Sequence, residues 1–275
     1  MANDDTLCGW GNEVKVAYFL ANAEVIVPRR AEQLKLLTRF LPYSSDAALS
    51  VLDLGAGFGA VTEQILNYYP RATVTCVDGS QAMVAHAAER LRKYGGRVKI
   101  LKADLAEPSW FHILLESLAR SAELAAASGE RSKNDSAAFN AAVSAIAIHH
   151  LTHQRKRELD REVFQLLAPG GVFLNNDVVA TPPALKDCFE ALNLAAIQEQ
   201  ECAQRGVART MEQLQAEMRE QLRLAGGRHQ SHIAPLGDQL EWLIEAGFTS
   251  VDCYWRYLDL AIFGGVKAQE GWNGQ

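Results

Sequence analysis

The chain has 275 residues, 48% of them hydrophobic, and carries 27 basic against 33 acidic side chains, a formal net charge of -6. That size and apolar content suit one elaborated α/β domain or two small ones, with a core that needs no disulfide or metal, and they exclude disordered, collagen-like and coiled-coil chains. The mild acidity supplies no broad basic face for a phosphate backbone, so a nucleic-acid partner is not expected.

The N-terminal run MANDDTLCGWGNEVK opens with acids and has no basic segment followed by an apolar one, so no secretory signal is expected. Residues 13 to 41 place Val14, Ala17, Tyr18 and Ala21, then Leu34, Leu37, Phe40 and Leu41, at helical spacing interrupted at Val27-Pro28. The spacing predicts two short helices preceding the main domain. From Ser50 the pattern changes: VLDL at 51–54, TVTCV at 73–77, VKIL at 98–101, AAVSAI at 141–146 and GVFLNN at 171–176 read as strands. Helices over 61–69, 81–93 and 154–167 lie between them, with stops at Gly95-Gly96 and Pro169-Gly170-Gly171. Strands apolar on both faces and separated by helices predict a parallel sheet covered on both sides.

Two stretches exceed that alternation. Residues 107–138 combine an Ala-rich helical pattern with the polar run SGERSKNDS, which reads as a surface excursion, and residues 182–225 read as a long helical region ending at Gly226-Gly227. DQLEWLIEAGF then predicts an amphipathic helix with Asp238 as its N-cap and Gly247 as its stop. TSVDCYW and YLDLAIFGG follow at the spacing of an antiparallel hairpin. The longest uncharged run, 136–154, holds Asn140, two serines and three histidines, so no membrane span is expected. Five scattered cysteines, Cys8, Cys76, Cys188, Cys202 and Cys253, fit reduced thiols of a cytoplasmic protein. Cys188 and Cys202 read as small buried helix residues.

The chemistry concentrates in VLDLGAGFGAVT, a strand running into a glycine turn and then a helix. Gly55, Gly57 and Gly59 let the backbone approach a ligand where a Cβ would intrude, as in nucleotide-type cofactor loops. Gly55-x-Gly57-x-x-Ala60 also satisfies the dinucleotide fingerprint, which keeps an NAD(P)-binding oxidoreductase open. Asp53 argues the other way: an acid two residues before the first glycine opposes a pyrophosphate and suits a cationic amine.

S-adenosyl-L-methionine carries such an amine and no phosphate, and on Asp53, Gly55, Gly57 and Gly59 the chain resembles the class I S-adenosylmethionine-dependent methyltransferases. The resemblance implies that Asp78, ending the second strand, meets the ribose, with Gly79, Ser80 and Met83 as the adenosine wall. It implies that Asp104 and Leu105 meet the adenine, with Ala56 in the loop and Ala145 on the fourth strand completing the set. LLAPGGVFLNND matches the turn into the family's fifth strand, while Phe139-Asn140 departs from its usual aromatic-Asp pair. AIHHL, LNNDVV and the C-terminal LIEAGFTSVDCYWRYLDLAIFGGVK look like a small bacterial subgroup that is also similar to carboxy-S-adenosylmethionine synthase. That similarity implies a cofactor contact near the VPRR junction, through Arg29 or Arg30, and one from an insert arginine, Arg205 or Arg209.

His149, His150 and Asp177 follow the fourth and fifth strands, where a methyl acceptor would sit, and are the candidate catalytic residues. Structural roles in a helix start or turn are the competing readings. His149 and His153 share a helical face, but with no acid or thiol near them in sequence no metal site is expected. Trp10, Tyr18, Phe19, Trp255 and Tyr257 read either as core or as an aromatic cage over the acceptor.

The expected fold is a doubly wound, Rossmann-like α/β domain, seven-stranded and mostly parallel with an antiparallel last strand. A helical cap occupies 1–49 and the cofactor-binding domain 50–275, with a helical insert at 182–235. The expected reaction is methyl transfer to a small-molecule acceptor. A carboxy-S-adenosylmethionine synthase-like or tRNA-modification enzyme, and an inactive cofactor-binding protein, are the alternatives, and a homodimer through the insert is compatible with each.

Overall fold

The computed structural model describes residues 9–128, 138–224 and 232–269, so part of the polar run after the Ala-rich helix, Gly226-Gly227 and Cys8 lie outside the described residues. Seven strands form one sheet: β1 (Ser50–Leu54), β2 (Thr73–Asp78), β3 (Val98–Lys102), β4 (Phe139–Ala145), β5 (Leu167–Val178), β6 (Thr249–Tyr257) and β7 (Leu260–Val266). Their order is β3-β2-β1-β4-β5-β7-β6. Neighbours from β3 to β5 are parallel, and β7 runs antiparallel to both β5 and β6, as the hairpin pattern predicts. The chain leaves β1 toward β2 and later returns on its other side as β4, which opens a crevice at the strand carboxyl ends.

The strand period of two divides the core. Val51, Val74, Ala141, Val143 and Leu174 face one cluster with Leu34, Leu37, Ile65 and Leu91, while Leu52, Leu54, Ala142 and Phe173 face the other with Trp110, Leu159, Val163 and Leu243. The first cluster is closed by α2 (Arg30–Arg39), α3 (Ala60–Tyr68) and α4 (Gln81–Leu91), the second by α5 (Ser109–Ser128), α6 (His153–Leu166) and α9 (Leu236–Ala246). The Asn140 departure has a local reason: its Oδ1 accepts the Ser50 N–H at 2.8 Å and so ties the start of β4 to β1.

Helix α1 (Glu13–Ile26) starts on Asn12, whose side chain accepts the Val14 and Lys15 amides, and breaks from α2 at the Val27-Pro28 junction. Gln33 fastens this cap to the sheet. Its Nε2 donates to the Pro28 carbonyl at 2.5 Å, and its Oε1 accepts from Asn176 Nδ2 at 2.9 Å, at the end of β5.

The 182–225 region is helical, as expected, and divides into α7 (Lys186–Arg205) and α8 (Met211–Leu224), because Gly206 takes φ 76 and ends the first of them. Two expectations need correction. Cys188 and Cys202 are exposed on α7 rather than buried. Helix α9 starts from Pro235, and Asp238 lies within its first turn, where it faces the helix dipole instead of capping it.

Candidate functional site

The loop after β1 is shaped by its glycines. Gly55 has φ +65, and a Cβ there would stand 2.4 Å from Ala147 Cβ; Gly57 has φ +54, with nothing within 4 Å of where its Cβ would be. The first glycine therefore lets two loops touch, and the second keeps space open. Asp78 closes the loop from β2: its Oδ2 accepts the Gly57 N–H and its Oδ1 the Ser80 N–H, each at 2.8 Å. Asp104 repeats the arrangement after β3, accepting the Ala106 N–H at 2.9 Å.

These residues border a cleft of about 970 Å3, part of it open to solvent. Gly55, Ala56 and Gly57 form its floor, Asp78, Gly79, Ser80 and Met83 one wall, and Asp104, Leu105 and Ala145 the next. His150 stands at the far rim, and Arg30 joins Trp10, Phe19 and Val27 in a roof from the cap. Phe58 and Ile146 also line the cleft without having been singled out in the sequence. Phe58 sits inside the glycine motif; Ile146 carries no sequence signal, because a β-branched residue at φ 54 contradicts local preference.

Asp53, His149 and Asp177 do not line the cleft. Asp53 lies beneath the loop, fully buried, with Oδ2 accepting the Thr62 hydroxyl at 2.6 Å and Oδ1 without a hydrogen-bond partner among the described residues. His149 and Asp177 form a buried pair: Asp177 Oδ1 lies 2.5 Å from His149 Nδ1, and Oδ2 accepts the His149 amide at 2.8 Å. Burial pushes the Asp177 carboxyl up, but the His149 imidazole, the Val178 amide and Lys156 outweigh that and hold it below the usual carboxylate range. The His149 ring lies 4.0 Å, centroid to centroid, from that of His150, so the pair positions the histidine that reaches the cleft. His153 packs on Trp242 instead, 5.6 Å between ring centroids.

The other candidates are placed as follows. Arg30 is buried with its Nε 3.2 Å from Glu24, and burial lowers its affinity for its proton. Arg29 points away, over the Tyr257 ring at 4.4 Å. Arg205 and Arg209 pair with Glu201, the latter also with Glu217, and neither lines the cleft. Of the five aromatics, Trp10 and Phe19 line it, whereas Trp255 and Tyr257 stack on each other at 6.4 Å and Tyr18 bonds to Glu217.

Burial pushes the Asp53 carboxyl up to about 7, with the Thr62 hydroxyl opposing the shift and the Asp78 charge adding to it. The folded value exceeds the unfolded one, so the protonated carboxyl favours the fold at low pH. That advantage is present in full below about pH 4 and is lost as the pH rises through about 7. Asp53→Asn is therefore expected to flatten stability across that window and to exceed the parent above pH 7 by roughly 2–4 kcal/mol, read from urea unfolding at several pH values.

A family profile described as a methyltransferase domain matches residues 52–173. The chain is 42% identical over 48 residues to the malonyl-acyl-carrier-protein O-methyltransferase of Bacillus anthracis, 18% of each protein. It is 33% identical over 97 residues to the release factor glutamine methyltransferase of Bordetella pertussis, 35% of this chain and 36% of that one. The matches thus span between a fifth and about a third of these curated relatives. An O-methyltransferase family protein from Burkholderia thailandensis superposes with a TM-score of 0.58 at 14% identity, covering 94% of this chain and 62% of that one, which shows a shared fold. The profile runs from β1 into β5, so the part of the chain that builds the cleft floor and walls is the part that resembles a methyltransferase domain.

Proposed function

We propose that the chain binds S-adenosylmethionine in this cleft and transfers its methyl group to a small-molecule acceptor. One observation carries the reading: at the ends of β1, β2 and β3 the cleft presents two acids, Asp78 and Asp104, beside open space over Gly57, and no basic side chain from those strands. Acids there suit sugar hydroxyls and an amine. Beneath them lies buried Asp53, whose Oδ1 has no hydrogen-bond partner among the described residues.

The roles divide by wall. Asp78 accepts from the ribose, its second lone pairs being available beyond the two loop amides; Ser80, Met83, Asp104 and Leu105 frame the adenine, with Ala56 and Ala145 beside them. Arg30, the cation in the roof, meets the carboxylate. When bound, the cofactor supplies a methyl group already activated by its sulfonium, so the protein's contribution is to align two reactants and exclude water. His150 takes a proton from acceptors that must lose one, held in place by the His149–Asp177 pair behind it.

The carboxylated-cofactor alternative would call on an insert arginine, and Arg205 and Arg209 are both engaged by Glu201. Titration calorimetry is expected to show saturable binding of S-adenosylhomocysteine and none of NAD. The opposite result would sink the reading. Mass spectrometry of the nucleoside that co-purifies distinguishes a carboxylated derivative from the parent cofactor.

A further inference from the structure

Trp10 and His150 are 140 residues apart and meet at the cleft. The indole Nε1 donates to His150 Nε2 at 3.0 Å, the rings standing edge to face with 6.0 Å between centroids. An indole N–H can only donate, so His150 Nε2 accepts and carries no proton while this bond is made. That lone pair is the one a base would offer to an acceptor. The His150 ring is backed by the His149 ring, tilted 44° against it, and Asp177 holds His149 at both its side chain and its backbone amide.

The hold on Trp10 is local and replaceable. Trp10 lies in the short turn before α1, and its carbonyl accepts the Ser80 hydroxyl at 2.7 Å. The indole edge meets Phe19 at 5.2 Å, and the Lys15 ammonium stands 4.4 Å from the ring centroid. A flat ring in the same slot would inherit the edge contact and the cation above its face. Val27, Ile146 and Leu151 add apolar lining.

We propose that Trp10 is the specificity gate of the acceptor half of the cleft: its indole N–H stands where the acceptor's own O–H or N–H must donate to His150 Nε2. An acceptor enters by taking that hydrogen bond over, which selects flat molecules with a proton on the atom to be methylated. The methylated product has lost that donor at a singly protonated oxygen; its proton resides on His150 Nε2, and once that proton passes to solvent the indole can reclaim the nitrogen. This rests on the reading of His150 as the acceptor-side base.

The test is a double-mutant cycle on the full chain saturated with S-adenosylhomocysteine, with 2-naphthol as probe and 2-methoxynaphthalene as its donor-less partner. Trp10→Phe keeps a ring but removes the donor, so 2-naphthol no longer competes with an internal hydrogen bond, and its affinity should rise about fivefold, the equivalent of one neutral hydrogen bond. In a His150→Phe background the same change should move affinity less than twofold. The parent should prefer 2-naphthol over 2-methoxynaphthalene about fivefold, and His150→Phe should abolish that preference.

Equal gains in both backgrounds, weaker 2-naphthol binding by Trp10→Phe, or no binding of 2-naphthol to that variant would each overturn the gate. If His150→Phe does not fold, imidazole nitrogen NMR of the parent with and without 2-naphthol reads the same exchange of donors at Nε2. S-adenosylhomocysteine affinity is measured separately for every variant. Its absence in the parent sinks the cofactor reading, whereas its presence with a failed cycle sinks only the gate.

Discussion

Gly55→Ala and Gly57→Ala are expected to fail in different ways, although the two glycines are two residues apart and share a positive φ. At Gly55 the new Cβ would meet Ala147 Cβ at 2.4 Å, and the strain of a left-handed alanine adds to that overlap. The β1 loop and the β4 loop would have to separate, and a loss of about 2–5 kcal/mol is expected from strain and overpacking together. At Gly57 the methyl group meets nothing within 4 Å, so only the backbone term of about 1–2 kcal/mol applies. The methyl would project into the space proposed for the cofactor, so Gly57→Ala should fold but lose S-adenosylhomocysteine binding. Urea unfolding and calorimetry on both variants check this; retained binding by folded Gly57→Ala would remove that space from the cofactor site.

Asp78→Ala is expected to weaken both binding and stability. The carboxylate, raised in pKa by burial against the pull of its backbone hydrogen bonds, joins the Gly57 amide of the β1 loop to the Ser80 amide that opens α4. Hydrogen bonds to a charged group contribute about 1.5–3 kcal/mol each, and alanine leaves both donors unpaired. A fall of at least about 100-fold in S-adenosylhomocysteine affinity is expected, together with a lower unfolding midpoint. Asp78→Asn keeps one acceptor oxygen without the charge and should lose about tenfold. Wild-type affinity in Asp78→Ala would show that this carboxylate touches no cofactor.

The sheet was legible because inner parallel strands are apolar on both faces: Val51 and Leu52 serve opposite clusters, and both positions read as hydrophobic. The acids were legible because Asp78 and Asp104 follow short apolar runs and lie at the same edge. Depth was not legible. Nothing in VLDLGAG distinguishes an acid lining the cleft from one beneath it; that depends on Thr62 turning inward from α3 to meet Asp53. His149 and His150 are neighbours in a 3-10 turn that sends one ring against Asp177 and the other to the cleft, a choice made by the loop's conformation. Arg205 pairs with Glu201 one turn back on α7, but the pairing of Arg209 with both Glu201 and Glu217 is visible only after α7 and α8 fold together. Asp238 looked like a cap because Asp favours that place, but Pro235, with its fixed φ, starts α9 three residues earlier.

The cleft draws on two unequal stretches of chain. Its floor and two of its walls, from Gly55 to Leu105, come from loops whose residues also set the spacing of β1, β2 and β3, so a change there disturbs the sheet as well as the ligand. Its roof, Trp10, Phe19, Val27 and Arg30, precedes the first strand, and the two roof rings touch each other, Phe58 and His150. On the proposed reading, most donor contacts are therefore anchored in loops that also space the strands, whereas Trp10 on the acceptor side belongs to the leading segment. Descendants of such a chain could change what they modify by altering a few residues of the leading segment, keeping the sheet and the donor pocket as inherited.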